Sequence, residues 1–179
     1  MPQGRTAVFL DRDGVVNRSL VVEGKPYAPR RLADFRLLPG VRAAIAALRR
    51  AGRLVVVVTN QPDLGHGLIE PAVLDAMHAR VRAAGVDAVL CCPHRQDEGC
   101  ACRKPRPGML LTAARDLGLD LAASWMVGDR WNDVAAGKAA GCRTVFIERG
   151  YAETATRTIE ADRLAANLPA AVRAILAAG

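Results

Sequence analysis

The sequence predicts a doubly wound α/β domain built on a parallel sheet. Three observations carry that prediction. Short β-branched runs alternate with amphipathic helical segments along the whole chain, the order that produces parallel strands with helices on both faces. The run over 53–58 is apolar on both faces, as a central strand covered on each side must be. Three of the runs stop on polar sets, Asp11-Arg12-Asp13-Gly14, Thr59-Asn60-Gln61 and Gly128-Asp129. Ligands bind in such sheets outside the carboxyl ends of the strands, so these sets should converge at one edge.

The elements follow in order. Residues 6–10 read as a strand that stops at Asp11. Residues 39–51 read as a helix with Val41, Ile45 and Leu48 on one face, closed by Gly52. After the strand 53–58 comes a helix over 70–84 that aligns Leu74, Met77 and Val81 and ends at Gly85. A strand over 86–91 follows, then a helix opened by Pro107 and ended by Gly118. Strand 124–127, helix 132–140, strand 143–147 and a terminal helix over 168–178 complete the alternation. One compact domain over 1–179 is expected, with no repeat or linker, and its one irregular interval is 92–107.

Composition narrows the classes. The longest apolar runs, such as 54–58, are far short of a membrane span. The apolar stretch 7–10 runs straight into Asp11 and does not read as a signal peptide, so a cytoplasmic location and no membrane partner are expected. A formal charge of +7 favours an anionic partner. The basic residues are scattered and aromatic residues are only 4%, which weakens nucleic acid as that partner; a small phosphorylated substrate explains the charge equally well, and composition alone does not choose.

Asp11 and Asp13 lie two residues apart after a strand, where alternation points them to one side and Gly14 lets the chain turn. Asp129 reaches the same edge. Three carboxylates in so small a space need a cation, and an all-oxygen set with no histidine favours Mg²⁺. A metal beside a free carboxylate suits phosphoryl transfer, because it neutralises the phosphate that would otherwise repel an anionic nucleophile. One Asp can form an acyl phosphate and the other can move the protons. Thr59 can donate its hydroxyl to a phosphoryl oxygen and Lys104 can supply a compact positive charge. An isolated Asp-x-Asp usually only caps a turn. The full order of strand-Asp-x-Asp-Gly, strand-Thr-Asn, Lys-Pro and strand-Gly-Asp-x-x-x-Asp is what points to catalysis.

At these residues the chain resembles the haloacid dehalogenase superfamily, whose motifs stand here as residues 9–14, Thr59-Asn60-Gln61, Lys104-Pro105 and Gly128-Asp129-Arg130-x-x-Asp133. The resemblance implies Asp11 as nucleophile, Asp13 as acid/base, and Thr59 and Lys104 as stabilisers of the transition state. It also implies Mg²⁺ on Asp11, the main-chain carbonyl of Asp13, and Asp129. Asp133 and Arg130 would stand behind these groups, Asp133 orienting Lys104 or a metal-bound water.

Cys92, His94, Cys100 and Cys102 form two tight pairs around a turn containing Gly99, and Cys₃His in a closed set of four is the pattern of a structural Zn²⁺. Cys91 and Cys142 read instead as small buried residues. The run Cys-x-His…Cys-x-Cys-Arg-Lys-Pro-x-Pro-Gly-Met is similar to the heptose bisphosphate phosphatase branch of the superfamily, with histidinol-phosphate phosphatases as near relatives. That resemblance implies substrate contacts from Asn17, Thr59, Asn60, Gln61, Arg103 and Lys104. It further implies carbohydrate metabolism in lipopolysaccharide precursor synthesis, and a capless site over which the zinc loop acts as a partial lid. The expected reaction is removal of a 7-phosphate by a monomer.

One segment departs from the branch: Pro62-Asp63-Leu64-Gly65-His66-Gly67 replaces a Ser-Gly-Ile-Ala-Arg-Gly type of run, which bears on the sugar and its second phosphate. Arg18 and Arg30 are candidates for the missing positive charge. Histidinol phosphate, nucleic-acid ends and a non-enzymatic zinc module remain as alternatives.

Overall fold

A computed structural model describes residues 4–179. Six strands form one wholly parallel sheet: β1 (Ala7–Leu10), β4 (Leu54–Asn60), β5 (Ala88–Cys92), β6 (Trp125–Gly128), β7 (Arg143–Ile147) and β8 (Arg163–Ala165). Their spatial order is β5-β4-β1-β6-β7-β8. The doubly wound class read from the alternation is therefore the observed one.

Alternation along the strands explains the two-sided core. Val8 and Leu10 of β1, with Val55 and Val57 of β4, face α1 (Val41–Arg50), α3 (Pro71–Arg82) and α6 (Leu168–Ala177). Ala7, Phe9, Val56 and Val58 point the other way, against α4 (Gly108–Leu117) and α5 (Trp131–Ala139). Val55 to Val58 are all fully buried. At about 1.5–3 kcal/mol for each buried apolar side chain, this strand alone is a large part of what anchors the sheet.

The connection leaving β1 runs to β4 on one side, and the connection leaving β6 runs to β7 on the other. A crevice opens between adjacent strands whose connections diverge in this way, and β1 and β6 end on Asp11 and Asp129. The sheet order thus places the site.

Three elements escape the sequence pattern. A short helix, α2 (Pro62–Gly65), follows β4, and β8 extends the sheet by three residues. Strands β2 (Leu20–Val22) and β3 (Lys25–Tyr27) form a separate antiparallel hairpin. Its turn, Glu23-Gly24, has φ of 49° and 74°, the left-handed pair that two-residue hairpin turns demand. The Gly24 carbonyl accepts from the Ala152 amide, which clasps the hairpin to the turn after β7.

Candidate active site

Asp11 leaves the end of β1 and Asp129 the end of β6, while Asp133 sits in the first turn of α5. One carboxylate oxygen from each can be drawn within 4.8 Å of the others, and all three residues are buried. Asp129 Oδ1 has no hydrogen-bond partner, and Oδ2 accepts from the Tyr151 hydroxyl at 2.8 Å. A buried carboxylate oxygen left bare beside two further carboxylates is the donor set of a hard cation. Gly14 shows how tightly the ligand is packed: at φ +91°, a Cβ there would stand 1.8 Å from Asp129 Oδ2.

Lys104 is 2% exposed, and its ammonium spends all three protons. It donates to Asp11 Oδ1 at 2.7 Å and to the Val58 carbonyl at 2.8 Å, and it pairs with Asp133 Oδ1 at 2.7 Å. This leaves Asp11 Oδ2 without a donor among the described residues. Burial, then the Asp133 charge, raises the Asp11 carboxyl to about 6 despite Lys104 beside it, the response expected of crowded carboxylates awaiting a counter-ion. Burial raises Asp129 further, with Asp11 and Asp133 adding to it. Burial opposes the charge on Lys104, but Asp11 and Asp133 outweigh it and raise its pKa.

Asn60, at the end of β4, clamps the loop that carries Lys104: its Oδ1 accepts from the Lys104 amide and its Nδ2 donates to the Lys104 carbonyl, both at 3.1 Å. Gln61 Nε2 donates to Asp13 Oδ2 and to Thr59 Oγ1, at 2.7 and 2.8 Å. Asn17 Nδ2 donates to Asp13 Oδ1 at 2.9 Å. The side chains of Asn17, Asn60 and Gln61 are therefore engaged with other site residues. Arg103 lines the cavity, and its Nη1 is buried without a partner.

The cavity above these groups has a volume of about 590 Å³. Lys25, Pro26 and Tyr27 of the hairpin line it together with Ala152 and Glu153, so the mouth is rimmed by chain that the sequence pattern left unassigned. Arg30 lines it too but pairs with Asp63 at 2.7 Å, so the departing segment 62–67 anchors this cation. Arg130 is bound on two atoms by Glu153, each at 2.6 Å. Arg18 is exposed and is not among the lining residues.

The second cluster lies on the adjoining loop. Cys92, His94, Cys100 and Cys102 present donor atoms close together: the three sulfurs are 3.2–3.6 Å apart, and His94 Nδ1 lies 3.2 Å from Cys102 Sγ and 3.6 Å from Cys92 Sγ. Four donors at about 2.3 Å from a tetrahedral ion would be separated by roughly 3.7 Å, so the set fits a soft divalent metal through Nδ1. Gly108 permits the loop to lie on α4, because a Cβ there would stand 2.3 Å from the Ala101 carbonyl oxygen. Cys142 is buried, as expected; Cys91, on β5, is half-buried.

Three contributors lie outside every motif, Tyr151, Arg149 and Glu153, and a fourth, Arg12, lies within the first motif with no role assigned to it. Arg149 donates from Nε and Nη2 to the Gly14 carbonyl at 2.9 and 2.7 Å, fixing the turn after Asp13. Tyr151 and Arg149 follow β7, whose polar end Glu148-Arg149-Gly150-Tyr151 is the one signal that could mark them.

A buried carboxylate paired with a buried lysine, beside a cation-ready acidic cluster at a sheet switch point, is the site of a phosphatase-type hydrolase of the haloacid dehalogenase class. Residues 101–171 match the HAD-hydrolase-like family. The D-glycero-β-D-manno-heptose-1,7-bisphosphate 7-phosphatase of Pseudomonas aeruginosa is 40% identical over 82% of this chain and 83% of its own length. That of Bordetella bronchiseptica is 42% identical over 80% of each. The crystal structure of the B. bronchiseptica D,D-heptose 1,7-bisphosphate phosphatase complexed with magnesium and phosphate superposes with a TM-score of 0.85 at 37% identity, covering 97% of this chain and 99% of that one. The chain belongs to the D-glycero-β-D-manno-heptose-1,7-bisphosphate 7-phosphatase family.

Proposed function

We propose that this chain hydrolyses the 7-phosphate of D-glycero-β-D-manno-heptose 1,7-bisphosphate through a phosphoryl group carried on Asp11. The observation that carries this reading is the buried Lys104 ammonium held between Asp11 and Asp133, beside the bare oxygen of Asp129. The relatives above supply the substrate. Lys25 and Arg103 fit a substrate with a second anionic end, since neither has a carboxylate partner among the described residues, whereas Arg30 and Arg130 do.

Asp11 Oδ2 attacks phosphorus while the bond to the sugar oxygen breaks and Asp13 gives that oxygen its proton. Water then attacks the same phosphorus, Asp13 takes the water's proton, and the bond to Asp11 breaks to return the carboxylate. Thr59 Oγ1 and Lys104 neutralise the phosphoryl oxygens as charge shifts. Asp11, Asp129 and the Asp13 carbonyl would hold Mg²⁺, which when bound neutralises charge on the transferring phosphoryl group. Asp133 orients Lys104 through the 2.7 Å contact.

The four soft ligands would hold Zn²⁺, which orders the loop so that Arg103 and Lys104, directly after Cys102, face the cavity. All of these groups come from one chain, consistent with a cytoplasmic enzyme active as a monomer. The test is kcat/KM across both heptose 1,7-bisphosphate anomers and histidinol phosphate. The β anomer should lead; a preference for histidinol phosphate would replace the substrate and leave the chemistry unchanged.

A further inference from the structure

The Asp13 carboxylate is held by five contacts from three side chains. Its Oδ1 accepts from Arg12 Nε at 3.2 Å, Arg12 Nη2 at 2.9 Å and Asn17 Nδ2 at 2.9 Å. Its Oδ2 accepts from Arg12 Nη2 at 3.1 Å and Gln61 Nε2 at 2.7 Å. The holders are more deeply buried than the group they hold: Arg12 and Asn17 are 0% exposed and Gln61 is 1% exposed, against 15% for the Asp13 side chain.

Burying a guanidinium is costly unless it is well paired, and among the described residues Asp13 is the carboxylate that pairs with Arg12. The Phe35 ring lies 5.6 Å from the guanidinium carbon, and Nη1 has no hydrogen-bond partner among the described residues. A buried ion pair that merely stiffens the loop accounts for Arg12. It does not account for Gln61, which leaves a different strand and reaches Asp13 and the Thr59 hydroxyl with the same amide nitrogen.

We propose that Arg12, Asn17 and Gln61 form a cradle that sets the Asp13 carboxylate for proton transfer, and that Gln61 ties it to Thr59 so that both groups keep one spacing through both half-reactions. The three are positioning residues, and Asn17 and Gln61 act on the sugar phosphate through Asp13. The proposal rests on the phosphatase reading above. It extends that reading by giving a role to a residue, Arg12, that no motif assigns one.

The two half-reactions separate positioning from substrate contact. A nitrophenolate leaving group needs no proton, so with p-nitrophenyl phosphate the first half-reaction proceeds without Asp13, whereas attack by water still needs it. Gln61→Ala and Gln61→Met, the second keeping the volume without the amide, should therefore give a rapid release of nitrophenolate equal to the enzyme concentration, followed by turnover slower than wild type. With heptose 1,7-bisphosphate, whose sugar oxygen must be protonated, kcat should fall about 10–100-fold with KM within about twofold of wild type. A raised KM with unchanged kcat and no burst in either folded variant overturns the cradle and returns Gln61 to direct substrate contact. A wild-type chain that hydrolyses neither ester overturns the phosphatase reading itself, which is a distinct result.

Discussion

Lys104, which pairs with Asp11 and Asp133 of the acidic cluster, is separated from Cys102 of the cysteine–histidine cluster by a single residue, Arg103, yet the two clusters are built in opposite ways. Asp11 and Asp129 stand at strand ends and Asp133 on a helix, all buried, with Asp11 Oδ1 and Asp133 Oδ1 held by Lys104 and Asp129 Oδ2 by Tyr151. Of the soft ligands only Cys92 lies on a strand; the other three are half-buried on irregular chain. The sheet can position the first set unaided, while the second sits on irregular chain held by exposed contacts, such as Arg106 Nη1 to the Cys100 carbonyl, which a bound ion would reinforce. A loop so ordered should lose its structure when the ion leaves, and Lys104 should suffer with it.

The largest expected effect is at the sheet-built site. Asp11→Asn should lower kcat by at least ~10³-fold with no loss of thermal stability, because it removes a nucleophile and also one of three crowded charges. Steady-state kinetics and a melting curve test both halves. Next comes the metal-built site. Cys102→Ser, or chelation of zinc with Mg²⁺ held saturating, should lower kcat/KM about 10–100-fold and abolish hydrogen-exchange protection over 93–103, while β1, β4 and β6 keep theirs. Unchanged kinetics after zinc removal would show that the loop orders itself.

Tyr151→Phe sharpens the comparison from the other side. It removes the Tyr151 hydroxyl that donates to Asp129 Oδ2 and keeps the ring, so the Mg²⁺ concentration for half activity should rise about tenfold with kcat at saturation little changed. A titration of activity against Mg²⁺ reads this directly.

The smallest effect concerns the buried imidazole of His78, on α3. Burial, then Arg12 and Arg82, lower its pKa from 6.5 to about 4, against the opposing pull of Asp13 and Asp75. Between those values the unfolded chain binds the proton that the folded chain refuses. The stability present above pH 6.5 is therefore lost as pH falls toward 4. His78→Leu should flatten this part of the curve in urea denaturation measured at pH 7 and pH 4.5.

The sequence pattern made the catalytic edge legible because its residues follow strongly apolar strands, so that Asp11, Thr59 and Asp129 announce where each strand stops. The Cys₃His set was legible from spacing alone. The hairpin was not: Leu20, Val21 and Val22 are exposed, and strands that bury neither face carry no period to read. Strand β8 was missed for the same reason, being three largely exposed residues. Tyr151 and Arg149 reach the site from a loop, and their role exists only once β7 lies beside β6. Asn17, Asn60 and Gln61 were visible as polar residues near the site, but only distances reveal that their amides are spent on Asp13, Lys104 and Thr59.

Covalent capture of the intermediate tests the central assignment most directly. The Asp13→Asn variant, whose water-attack step should be slow, is mixed with p-nitrophenyl phosphate and Mg²⁺, quenched in acid, digested and mapped by mass spectrometry. The expected result is one phosphoryl group on the peptide that carries Asp11, absent when Asp11→Asn is added. A variant that still releases nitrophenolate with no phosphoryl group on Asp11 would contradict the account and point to direct attack by water.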